Sequence, residues 1–94
     1  MNTSPFYVYI LECGDKTLYT GYTGNIDKRV HEHNTTIIGA RYTRGRRPVT
    51  LVYVEEYSTL SDALKREAQI KKLSRGQKLL LIRNYSGSLS MVEP

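Results

Sequence analysis

Two short aromatic and β-branched runs flank a Cys-Gly-Asp-Lys turn near the start of this chain, and together they prescribe a hairpin. Tyr7, Val8, Tyr9, Ile10 and Leu11 suit a pleated surface. Cys13-Gly14-Asp15-Lys16 supplies the turn, with Gly14 the residue placed to adopt a positive φ. Thr17, Leu18, Tyr19 and Thr20 resume strand character, so strands are predicted over about 6–12 and about 17–23. Folding about Gly14 brings Tyr9 and Tyr19 near each other across the pair. Gly21 and Gly24 release the chain from the sheet into a helix over about 26–34, with Asn25 as N-cap and Asp27 in the first turn. The i,i+4 spacing puts Arg29 and His33 on one face of that helix, beside the Ile26 and Val30 stripe, where both can point into a cleft at the sheet edge. Two phenols, an arginine and a histidine therefore converge, which is more than a purely structural hairpin needs.

Ninety-four residues bound the rest to one domain with a core of modest size. The predicted domain runs over 1–94, with its core at about 6–83 and tails at 1–5 and 86–94. No apolar run approaches the ~18–20 residues of a membrane span. MNTSPF has neither the basic nor the apolar region of a signal peptide, and Cys13 is the sole cysteine. A cytoplasmic protein without disulfides or cysteine-bound metal is the expectation. Of fourteen Lys and Arg against nine Asp and Glu, only Lys16, Lys28 and Arg29 precede residue 41. The other eleven fall between Arg41 and Arg83, so the second half carries a positive field suited to a polyanion.

That half opens with the loop TTIIGARYTRGRRP, broken by Gly39, Gly45 and Pro48. Arg41, Arg44, Arg46 and Arg47 interleave there with Tyr42, with no acid nearby in sequence. Guanidinium forks suit phosphate oxygens, and a tyrosine among them can stack on a base. An exposed loop of solubilising arginines is the plain alternative, but four such charges repel one another unless an anion binds. VTLVYVEEY, 49–57, reads as a third strand, apolar enough for the middle of a three-stranded sheet, with Leu51 and Tyr53 on one face and Val52 and Val54 on the other. Thr59-Leu60-Ser61-Asp62 caps a second helix running to about 73 or 74. Its apolar side comprises Leu60, Ala63, Leu64, Ala68, Ile70 and Leu73, and Glu67 falls among them. A carboxylate there is either paired, with Arg66, Lys71 or an arginine across the core, or ligates something. Lys71 and Lys72, on the remaining face, extend the basic surface. A last helical segment is predicted from Gln77 to about Arg83, followed by the polar tail.

Taken in order, Tyr7-Val8-Tyr9, Tyr19-Thr20-Gly21, Arg29, His33, the GARYTRGRRP segment and Glu67 resemble the GIY-YIG nuclease superfamily. The likeness runs from about Tyr7 to Ile82 and is greatest with its small single-domain bacterial branch, the UPF0213-type proteins. The resemblance implies an α/β fold, with a small three-stranded, mostly antiparallel sheet flanked by helices. It implies an endonuclease that hydrolyses DNA phosphodiester bonds with a divalent cation, Mg²⁺ or Mn²⁺, on branched or repair-intermediate DNA. Catalytic roles fall on Tyr9, Tyr19, Arg29, His33 and Glu67, with Glu67 the metal ligand and Gly21 structural. Arg41, Tyr42, Arg44, Arg46, Arg47, Lys71 and Lys72 are the nucleic-acid-binding set. Tyr7 stands in place of the first glycine, Thr20 in place of an isoleucine, and Tyr22 where repair-type members often carry a lysine. A non-catalytic DNA- or RNA-binding module on the same scaffold, or a nuclease subunit needing a protein partner or a second copy, are the alternatives.

Overall fold

The computed structural model describes residues 4–35 and 45–92. Strand β1, Phe6–Glu12, is the centre of a three-stranded sheet ordered β2-β1-β3, with β2 at Leu18–Thr23 and β3 at Thr50–Tyr57. Both ladders are antiparallel. Helix α1 spans Ile26–Thr35, α2 Leu60–Lys71 and α3 Arg75–Val92. The α/β fold matches the prediction, but the middle strand is β1 and not the 49–57 segment. Val8, Tyr9, Ile10 and Leu11 are all at most 1% exposed, so both faces of β1 are covered and its sequence is a continuous apolar run. β3 carries Glu55 and Glu56, which suit an edge.

One face of the sheet packs Tyr9, Leu11, Cys13 and Val49 against Ile26 and Val30 of α1. The opposite face packs Val8, Ile10 and Tyr53 against Ala63 and Ile70 of α2, with Leu81, Ile82 and Tyr85 of α3 closing the layer. Burying each such aliphatic side chain contributes about 1.5–3 kcal/mol. The β1–β3 register slips between Ile10, opposite Tyr53, and Leu11, opposite Leu51. This bulge leaves Val52 as the extra residue and overturns the predicted faces: Leu51 joins Val54 on the α1 side, and Val52 joins Tyr53 on the other.

The hairpin turn also differs in detail. Lys16, at φ 72°, takes the left-handed position, and no described glycine has positive φ. Asp15 Oδ1 accepts from the Thr17 N–H and hydroxyl, and Lys16 N–H donates to the Cys13 carbonyl. Gly14 is required for close approach. Its N–H donates to the Arg46 carbonyl at 2.6 Å, and a Cβ there would lie 2.8 Å from the Arg47 carbonyl oxygen.

Thr59 caps α2 by accepting from the Asp62 N–H at 3.1 Å, as its sequence predicts. The buried stripe is narrower than the apolar pattern: Ala63 and Ile70 are buried, whereas Leu60, Leu64 and Ala68 face solvent. Helix α3 begins two residues before Gln77, in a capping box in which Ser74 and Gln77 exchange side-chain bonds to each other's N–H. Its backbone stays helical to Val92, across residues expected to form a tail. Once a helix is nucleated, each further residue adds a hydrogen bond, so Ser and Gly weaken the extension without forbidding it.

Candidate active site

The site begins with Gly21. In the β1–β2 register Tyr9 lies opposite Gly21 and Leu11 opposite Tyr19, so the two site tyrosines are diagonal neighbours on the α1 face. Tyr9 lays its ring over Gly21: a Cβ there would meet the phenol oxygen at 2.6 Å and its ring carbon at 2.7 Å. The rings of Tyr9 and Tyr19 are 6.5 Å apart between centroids. His33 stands edge-on to both, at 6.0 Å and 5.2 Å.

Asn25 orients α1 over this face by accepting from the Lys28 N–H with its side chain. Arg29 and His33 then project from one side of the helix. His33 is fully buried and does not line an open cleft, as its helix position had suggested. Its Nε2 shares a 3.0 Å hydrogen bond with the Tyr9 hydroxyl. Burial, with the Arg29 and Arg47 charges, holds the imidazole down to about 4, so it is neutral at physiological pH. Burial likewise pushes the Tyr9 phenol up to about 12; the Arg29 guanidinium opposes this, while Tyr19 and Glu67 add to it. Tyr9 is therefore a neutral hydroxyl in this structure, and Arg29 alone does not make it a phenolate.

Arg29 Nη1 pairs with Glu32 Oε1 at 3.0 Å. Burial pulls the guanidinium down, but bonds to Glu32 and Tyr9 outweigh it and fix the charge. Glu67, on the sheet-facing side of α2 between Ala63 and Ile70, pairs with Lys71 Nζ at 3.3 Å. Its side chain is only 15% exposed, yet its charge reaches the Tyr9 phenol. No trio of His, Cys, Asp and Glu able to hold a metal occurs among the described residues. One enclosed carboxylate fits a hard, largely hydrated cation such as Mg²⁺ and does not fit a tetrahedral Zn²⁺ site.

The arginine segment is only partly within the described residues; Arg41, Tyr42 and Arg44 lie outside them. The two that are described are not the unpartnered forks the sequence suggested. Arg46 Nε lies 3.0 Å from Asp15 Oδ2, and Arg47 Nε donates to the His33 carbonyl at 2.7 Å. Asp15 is far from Arg46 in sequence but adjacent once the hairpin turn meets the loop end. Sequence reasoning also missed Asn34, whose amide accepts from the Val49 N–H at 2.8 Å and donates to the Val49 carbonyl at 3.1 Å. Together, Asn34 and Arg47 staple the start of β3 to the end of α1 beside His33. Lys72 is exposed and joins no ion pair among the described residues.

A family model for the GIY-YIG catalytic domain matches residues 5–79. The chain belongs to the GIY-YIG family. A UPF0213 protein of Syntrophus aciditrophicus is 65% identical over 77 residues, covering 82% of this chain and 88% of the relative. One of Clostridium perfringens is 55% identical over 80 residues, 85% of each chain. The solution NMR structure of a UPF0213 protein from Bacillus halodurans superposes with a TM-score of 0.55 at 43% identity, over 84% of this chain and 83% of that one. A solution NMR structure from E. faecalis gives 0.59 at 34% identity, over 90% of each. GIY-YIG membership makes the chain a member of a nuclease family, while the name UPF0213 specifies neither substrate nor metal. Tyr9, Tyr19, Gly21, Arg29 and His33 form one constellation on the α1 face, and Glu67 lies within electrostatic reach of it.

Proposed function

We propose that this GIY-YIG chain is a divalent-metal-dependent endonuclease that hydrolyses DNA phosphodiester bonds, with branched or repair-intermediate DNA as its substrate class. The observation that carries the reading is the buried 3.0 Å bond between the Tyr9 hydroxyl and His33 Nε2, set beside a fixed guanidinium. Two neutral, hydrogen-bonded groups in a covered place form a proton-handling pair. With the imidazole neutral, Nε2 accepts from the Tyr9 hydroxyl in the Nδ1-protonated tautomer; the phenol oxygen also accepts from Arg29, which leaves it one lone pair to orient a water. Arg29 holds a non-bridging phosphate oxygen by charge-assisted bonds, and Tyr19, against the His33 ring, shapes the approach to it. Glu67 would hold the cation, which when bound supplies positive charge for the phosphate and the departing oxygen. Lys71, Lys72 and the arginine segment draw in the backbone of the nucleic acid.

The test is cleavage of labelled single strand, duplex, flap and four-way junction with Mg²⁺ or Mn²⁺, beside Glu67→Ala and Arg29→Ala. Metal-dependent cutting lost in both variants is the expected result. Binding without cutting, unaffected by Glu67→Ala, would leave a non-catalytic binding module.

A further inference from the structure

Glu67 and its partner Lys71 sit in unlike environments. The carboxylate is 15% exposed and the lysine side chain 54%, with Nζ 3.3 Å from Oε2 one helical turn away. For Lys71 the ammonium is already solvated, so releasing Glu67 costs it little. For Glu67 the pair is the sole cation bonded to it among the described residues. Lys72 beside it, and Arg75 and Lys78 beyond the α2–α3 turn, join no ion pair among those residues. Lys71 is thus the one cation of this corner held by an acid, and that acid is the one read as the metal ligand.

We infer that Lys71 is a placeholder counterion, holding the Glu67 carboxylate until a divalent cation takes it and then moving onto a phosphate of the nucleic acid. The inference rests on the reading of Glu67 as a ligand. Lys71 and the divalent ion compete for the same oxygen and repel one another, so they do not share it. A phosphate beside the site gives the displaced ammonium a new partner. Metal and nucleic acid then favour each other's binding, and by linkage the effect is reciprocal. Lys71 is a positioning residue in this scheme, since it acts through Glu67.

Binding measurements without turnover test it. Mn²⁺ titrations followed by electron paramagnetic resonance, at fixed ionic strength and without DNA, compare wild type, Lys71→Met and Glu67→Gln. Removing the competitor tightens Mn²⁺ binding about twofold in Lys71→Met, in line with the size of an i,i+4 pair, and Glu67→Gln abolishes the site. In EDTA, binding of a short labelled duplex is followed against salt. Lys71→Met leaves the slope at its wild-type value, because Lys71 is still on Glu67. Glu67→Gln frees it and steepens the slope by about one ion, and the double variant returns to wild type. Unchanged Mn²⁺ affinity in Lys71→Met, with Glu67→Gln still abolishing binding, overturns the placeholder role and keeps Glu67 a ligand. Mn²⁺ binding indifferent to Glu67→Gln removes the ligand reading and this inference with it.

Discussion

At Gly21 a single hydrogen atom decides whether the site can assemble. The phenol of Tyr9 occupies the place where any larger residue would put its Cβ, 2.6 Å from the oxygen that bonds His33. Gly21→Ala therefore has to push the ring aside, at a stability cost of about 1–3 kcal/mol. Because that ring carries the hydroxyl proposed to handle the proton, cleavage should fall by about 100-fold or more, while urea denaturation shows a protein that is still folded. His33 makes a second prediction, from its depressed basicity. The unfolded chain takes up a proton near 6.5, whereas the folded one resists until about 4. Protonation thus favours unfolding through that window: stability is full above about 6.5, declines as pH is lowered, and levels off below about 4. The loss is on the order of 3 kcal/mol at about 1.36 kcal/mol per pH unit. Urea midpoints between pH 7.5 and 4.5, with imidazole NMR showing His33 neutral at pH 5.5, check both halves. A flat profile with His33 charged at pH 5.5 would mean the imidazole is solvated.

At the scale of elements, what the sequence disclosed followed its local signals. Strand β1, the helix over Arg29 and His33, and the Thr59 cap are each written in a run of neighbouring residues. The strand order is legible too, in the contrast between the unbroken apolar Val8–Leu11 and the Glu55 and Glu56 of β3. So is the α3 start, since Ser74 and Gln77 have capping-box spacing. The bulge at Val52 is not, because an inserted residue leaves no mark in a run such as TLVYV. Nor are the Asn34–Val49 and Arg46–Asp15 contacts, which depend on segments brought together only by the fold. The same holds for the network joining β3 to α2. Glu55 accepts from Tyr53 and from Tyr57 and takes both Nε and Nη2 of Arg66, at 2.9 and 3.0 Å. Burial alone would raise its carboxyl, but these bonds hold it below the usual range. Glu55→Gln loses the charge while keeping the shape, and should destabilise by about 1–3 kcal/mol, lowering the urea midpoint with an unchanged slope. Cleavage at a temperature where the variant is folded should be near wild type, because Glu55 lies on the face away from Tyr9 and His33. A selective loss of activity would show that the two faces are coupled.

Over the whole molecule, the positive charge divides into cations tied into the fold and cations left to solvent, and the two kinds should answer differently to removal. Lys72 is exposed and unpaired among the described residues, so it has no structural debt. Lys72→Ala should weaken DNA binding evenly across sequences and lower the salt slope by about one, leaving the melting temperature within error. Arg47 is also exposed at the surface, but its Nε ties the His33 carbonyl and its charge helps keep the imidazole neutral. Arg47→Ala should lower the salt slope too, but with two further effects. Losing the bond should reduce stability by about 1–2 kcal/mol, and His33 should titrate at a higher pH once the nearby cation is gone. Arg47→Lys keeps the charge without the planar fork, so it should restore the imidazole more fully than the stability. Binding isotherms against salt, thermal melts and His33 NMR titrations on these three variants separate the two kinds of cation. If Arg47→Ala behaves as Lys72→Ala does in all three, the basic surface is a uniform field and nothing in it reaches the buried pair.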